Sequence, residues 1–235
     1  MQHRNQLVVN GLVREFLVYM PGLKPVGTSM PAIISLHGTL GSAEQMMDFA
    51  DFRPLADRDG FMIICPEGIT QTWNDGRATK ANQAGIDDVG FIDQLITQLI
   101  ATYGADARRI YITGMSNGGF MASRLACLLT ERLAAVAVVA ATLDMLSPVR
   151  PSKPLPVMYV HGTRDRMVPY AGGPTKAAAG NVFGHEEILK LWVEVNRCTE
   201  QPVITRLPDE AHDGTEIVRE EFSNCLLYTS DAADE

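Results

Sequence analysis

The sequence predicts an α/β domain built on a mostly parallel sheet, with helices on both faces. Three observations predict it. Short apolar runs rich in β-branched residues alternate with stretches whose apolar positions recur at helical spacing. The apolar runs show little polar alternation, as expected of strands buried on both faces. One junction between a strand and a helix, Gly114-Met115-Ser116-Asn117-Gly118, has the G-x-S-x-G spacing of a sharp turn that exposes a serine.

Each element has its own signal. Leu7–Val9 and Leu12–Tyr19 flank Asn10-Gly11, the strongest short hairpin signal. Residues 21–31 read as a loop. Ala32–Leu36 is a buried strand ending at His37-Gly38-Thr39. Ser42 with Gln45 forms a capping box that opens a helix, and 52–58 reads as a second helical piece stopped by Gly60. Phe61–Cys65 is the next strand, ended by Pro66. Residues 67–85, carrying Trp73-Asn74-Asp75-Gly76, are too polar for core and too long for a simple connection, so they are expected to line the site. Asp87 or Asp88 caps a helix with apolar positions from Val89 to Tyr103. Ile110–Thr113 is the strand before the serine, and 120–129 the helix after it. Apolar strands follow at 133–141 and 155–160.

Composition sets the outer limits. The 235 residues suit one such domain, and 46% hydrophobic content supplies a sizeable core. Twenty Lys and Arg against 28 Asp and Glu give a formal charge of −8, which argues against a nucleic-acid partner. No apolar run is long enough to span a bilayer, so no membrane partner is expected. No signal peptide is visible at the N-terminus, which fits a cytosolic protein or a start lying upstream. Four cysteines are too few for a disulfide scaffold. Cys65 and Cys127 sit in core contexts; Cys198 and Cys225 could pair or remain free thiols.

Ligands of open parallel sheets bind beyond the C-terminal strand ends, so three strand ends are read together. Ser116 is the candidate nucleophile, a weak one until a base takes its proton. Asp165, in the loop after a buried strand, is the candidate acid that orients that base; the bland alternative is a turn aspartate paired with Arg164 or Arg166. The backbone N–H groups of Thr39 and Asn117 are the candidate oxyanion donors. His37 and His161 read as structural, and neither has a second ligand at metal spacing.

Together the stretches Leu36-His37-Gly38, Trp73-Asn74-Asp75-Gly76, Asp87–Phe91, Arg109–Gly119 and His161–Asp165 resemble the polyhydroxybutyrate-depolymerase type of esterase. So do Val168-Pro169-Tyr170, Asn196-Arg197-Cys198 and Asp213-Gly214-Thr215. This branch of the α/β-hydrolases also contains feruloyl and acetylxylan esterases. The resemblance runs from about Leu12 to Cys225. It implies an α/β-hydrolase fold, with Ser116 as nucleophile, Asp165 as triad acid and Thr39 and Asn117 as oxyanion donors. It also implies secretion, ester substrates carried on polymers, and neither metal nor organic cofactor. Thr39 departs mildly from the cysteine or small residue frequent there.

A larger departure concerns the base. The family's histidine lies near the C-terminus in a Gly-Gly-Gly-His-x-Trp-Pro-like motif, which this sequence does not contain. Only His185, expected at the surface, and His212, in a turn, follow Asp165. The reading is therefore a serine carboxylesterase, a single domain over 1–225 lacking its C-terminal end, with a non-native tail at 226–235; whether this chain turns over without that histidine stays open. The rivals are a peptidase on the same fold and a catalytically silent module that binds polymer or glycan.

Overall fold

The organising feature is a seven-stranded sheet in the order β1-β2-β4-β3-β5-β6-β7. The computed structural model describes residues 1–22, 29–147, 149–176, 178, 180–199, 201–210 and 212–225. Part of the expected 21–31 loop and the whole 226–235 tail lie outside them.

Strands β1 (Gln2–Val9) and β2 (Leu12–Tyr19) form the expected hairpin. Asn10 and Gly11 both take positive φ, 50° and 80°, which the twist-matched two-residue turn requires. β2 pairs antiparallel with β4 (Met62–Pro66). From there the sheet is parallel, through β3 (Met30–Leu36), β5 (Ala105–Met115), β6 (Ala135–Val139) and β7 (Val157–Val160). β7 starts later than the apolar run suggested, because Pro156 has no N–H for the ladder.

Helices cover both faces. The pleat of β4 shows this: Ile63 and Cys65 pack with Met46 and Met47 of α1 (Ala43–Phe49) and Ala56 of α2 (Arg53–Asp59). Met62 and Ile64 face the larger core, with residues of α4 (Asp88–Gln98), α5 (Asn117–Leu128) and α6 (His185–Val195). Successive side chains of a strand point to opposite faces, so two helical layers satisfy one fully buried strand. Local chemistry sets the helix ends. Ser42 accepts the Gln45 N–H, Gly60 closes α2 at φ 74°, and Asp87 accepts the Gly90 N–H. A short α3 (Lys80–Gln83), capped by Thr79, interrupts the segment read as irregular.

Two small ribbons complete the described chain. β8 (Gly173–Pro174) pairs with β9 (Asn181–Val182), and β10 (Val203–Leu207) with β11 (Ile217–Glu221). A disulfide joins Cys198 to Cys225 across the base of the second ribbon. His212 lies in the exposed connection between β10 and β11.

Candidate active site

Parallel register brings the strand ends to one edge. Leu36 of β3 pairs with Gly114 of β5, Met115 with Val139 of β6, and Val139 with Val160 of β7. His37, Ser116 and His161 therefore leave the sheet along the same rim.

At the elbow, Ser116 holds φ 55° and ψ −121°, a conformation disfavoured for any side-chain-bearing residue. Close packing holds it there. A Cβ on Gly114 would lie 2.3 Å from the Gly118 oxygen, and one on Gly118 would lie 2.3 Å from the Leu36 oxygen. Only glycines let α5 start this tightly against β5 and β3. The Ser116 hydroxyl makes no hydrogen bond among the described residues. Asn117 opens α5, so its N–H precedes the helix's own ladder. Gly38 abuts the serine: a Cβ there would sit 3.6 Å from Ser116 Cβ. Thr39 follows it, exposed.

The segment after β4 fastens these two elements to each other. Trp73 donates its indole N–H to the His37 oxygen at 2.9 Å and its backbone N–H to Asn117 Oδ1 at 2.7 Å. Asn117 Nδ2 donates back to the Trp73 oxygen at 3.1 Å and to Asp75 Oδ2 at 2.6 Å. His37 completes the tie. Its Nδ1–H donates to the Gly38 oxygen at 2.8 Å, and its Nε2 accepts the Gly68 N–H at 3.0 Å. These two bonds require the neutral ring, and burial also pushes its pKa down.

Two expectations are corrected here. Trp73 was expected to line the substrate, but it is fully buried and both of its N–H groups are committed, so it braces the site from beneath. The 67–85 segment was expected to be too polar for core, yet Thr72, Trp73, Asp75, Arg77 and Thr79 are buried because their polar atoms find partners inside. Asp88 anchors the same segment. Its Oδ2 accepts the Asn74 N–H while its Oδ1 pairs with buried Arg14 at 2.6 Å.

Asp165 lies beyond β7. Its Oδ1 accepts the N–H groups of Met167 and Val168 at 2.7 and 2.9 Å. Oδ2 stands 3.7 Å from His161 Nε2, whose proton goes to the Val168 oxygen at 2.9 Å, so Oδ2 is left open. Among the described residues neither Arg164 nor Arg166 pairs with it. No histidine hydrogen-bonds to Ser116 or Asp165 among those residues. His185, expected at the surface, is buried instead. Its ring stacks on Tyr170 at 4.7 Å because α6 packs inward on the β7 loop. Burial pushes its pKa down, with His161 adding to the effect.

The sequence reading missed Asp75 and Arg77 as members of the site. The signal available was an Asp-x-Arg pair inside an otherwise weakly charged stretch. No group of three or more metal-ligating side chains occurs among the described residues.

Residues 15–145 match the family model described as esterase PHB depolymerase. Feruloyl esterase B of Piromyces equi is 28% identical over 202 residues, covering 80% of this chain and 37% of that protein. The bifunctional acetylxylan esterase/xylanase XynS20E of Neocallimastix patriciarum is 28% identical over 162 residues, covering 68% of this chain and 22% of that protein. The chain thus spans less than half the length of either of these relatives. A crystal structure of a thermostable esterase superposes with a TM-score of 0.62 at 16% identity, covering 83% of this chain and 52% of that one. That likeness concerns the fold.

Proposed function

The chain belongs to the PHB depolymerase esterase family, and from that premise we propose that it is a serine carboxylesterase working through an acyl-enzyme. The observation that carries the reading is the unbonded Ser116 hydroxyl on a strained elbow, followed by Asn117 at the start of α5 and abutted by Gly38, which precedes Thr39. Ser116 Oγ attacks the ester carbonyl and its proton passes to a general base. The carbonyl oxygen gains negative charge and is met by the N–H groups of Asn117 and Thr39. Such donors act only as charge develops, so they lower the barrier rather than merely bind substrate. Collapse of the tetrahedral intermediate expels the alcohol, and water then releases the acid from Ser116. Asp165 Oδ2 is the open acceptor for the N–H of a base histidine, whose cation it would stabilise. No step calls on a metal or organic cofactor.

The proposed substrates are acyl esters carried on polymers: feruloyl or acetyl groups on plant polysaccharide, or hydroxyalkanoate chains. The names of the relatives support this class. The proposed location is extracellular, supported by the Cys198–Cys225 disulfide, since such bonds persist in oxidising compartments. No helix among the described residues is long and apolar enough to cross a membrane.

Hydrolysis of feruloyl, acetyl and hydroxybutyryl esters by the protein and its Ser116→Ala variant, with and without imidazole added as an external base, tests the reading. Release from at least one class that depends on Ser116 is expected, in the presence of imidazole if not in its absence. Polymer binding that survives Ser116→Ala, with no ester release by either protein, would replace it with the silent binding module.

A further inference from the structure

Asp75 and Arg77 are an ion pair taken out of water immediately beneath the nucleophile turn, with side-chain exposures of 0% and 2%. Burying two charges is costly unless geometry and further bonds repay it, and such a pair is weak evidence for stability alone. Of the further contacts, Arg77 Nη1–H reaches Thr175 Oγ1 at 3.5 Å and the Arg77 backbone N–H reaches Asp75 Oδ1 at 3.0 Å, and two others lead to the first turn of α5. Asp75 Oδ2 accepts Arg77 Nη2–H at 2.6 Å and Asn117 Nδ2–H at 2.6 Å. Arg77 Nε–H adds contacts to both carboxylate oxygens, at 3.3 and 3.2 Å. The guanidinium lies over the ring of Phe120, 3.6 Å from its centroid. Asn117 and Phe120 are three residues apart on one helix, so they share a face. The pair therefore grips that face twice, once through the Asn117 amide and once on Phe120.

The consequence falls on the backbone of Asn117. Both polar atoms of its side chain are engaged: Oδ1 by the Trp73 N–H, Nδ2 by the Trp73 oxygen and Asp75. A side chain fixed at both ends leaves its own peptide little freedom to turn. In the esterase reading, that peptide carries the N–H that meets the oxyanion. We propose that Asp75 is a positioning residue for the reaction: it holds Asn117 so that the backbone N–H keeps its aim at the developing oxyanion, with Arg77 as its counter-charge. This inference rests on the serine-esterase reading of the site and adds to it a residue that need not touch substrate.

The test uses Asp75→Ala and the neutral pair Asp75→Ala with Arg77→Met. Both remove the acceptor from Asn117 Nδ2, and the second also avoids an unpaired buried guanidinium while keeping an apolar stem against Phe120. Each is first checked for folding by circular dichroism. With an aryl ester, kcat is expected to fall about tenfold to a hundredfold while KM stays within about twofold, because an oxyanion donor acts in the transition state. The order parameter of the Asn117 amide is expected to drop below that of the remaining α5 amides. A lower unfolding midpoint with unchanged kcat per folded molecule and an equally rigid Asn117 amide would overturn the proposal, leaving the pair purely structural. Absence of Ser116-dependent turnover in the parent protein would bear on the esterase reading and on the missing base histidine, not on the positioning claim. The amide measurement still decides the positioning claim in that case: a rigid Asn117 in folded variants overturns it.

Discussion

Trp73 and Asn117 exchange two hydrogen bonds, backbone N–H to Oδ1 at 2.7 Å and Nδ2–H to backbone oxygen at 3.1 Å, although 44 positions separate them. A third bond, from the indole to the His37 oxygen, ties the same tryptophan to the end of β3 that leads into Gly38 and Thr39. The two segments that would stabilise the oxyanion are thus held to each other by a residue that stays out of solvent.

Trp73→Phe tests this brace. It keeps most of the buried ring but strands the His37 oxygen without its donor. Leaving a buried acceptor unsatisfied costs about 1–3 kcal/mol. Urea unfolding should show a loss in that range, whereas a substrate-lining role would leave stability within about 0.5 kcal/mol.

The strained serine predicts a trade between stability and activity. Ser116→Gly removes the side chain from a conformation that costs about 1–3 kcal/mol for non-glycine residues, offset in part by glycine's extra backbone entropy. The variant should unfold at higher denaturant than the parent while losing Ser116-dependent chemistry. An equal or lower midpoint would show that the elbow stores no strain.

Gly118→Ala probes the close approach of α5 to β3. The added carbon would meet the backbone oxygens of Leu36 and His37 at 2.3 and 2.5 Å. Backbone cannot yield as a flexible side chain can, so the variant should lose about 1–3 kcal/mol or more. A variant as stable as the parent would contradict the packing described here.

The pH dependence of stability follows from His37. The ring is held neutral and its pKa is lowered from the ordinary 6.5, first by burial. The Gly38 oxygen and the more distant Glu67 and Asp88 oppose this without reversing it. The unfolded chain takes up a proton near pH 6.5 and the folded chain resists it. This contribution is therefore complete above that pH and is lost as pH falls below it. His185, also lowered, acts in the same direction. Unfolding midpoints should drop between pH 7.5 and 5.5, and less steeply in His37→Gln; the same slope in both proteins would refute the role given to His37.

Much of this architecture is legible in the sequence because it is local. The Asn10-Gly11 turn, the Ser42 cap and the glycines around Ser116 each declare a backbone geometry by residue type alone. Positioning of Ser116, Thr39 and Asp165 at one rim follows from parallel order. What stayed hidden was long-range pairing of polar groups. Asp75, Arg77 and Thr79 read as solvent-facing because their partners, Asn117, Phe120 and the Trp73 oxygen, come from contacts that composition does not encode. His185 misled for the same reason: its surroundings come from Tyr170 and His161, on the loop after β7.

The most direct measurement is covalent trapping at Ser116. The folded protein and its Ser116→Ala variant are incubated with an activated aryl ester, the released phenol is followed, and the adduct is mapped by peptide mass spectrometry. The account predicts an acyl group on the peptide containing Ser116 and phenol release above that of Ser116→Ala. Equal release by both proteins, with no acyl group on Ser116, would contradict it.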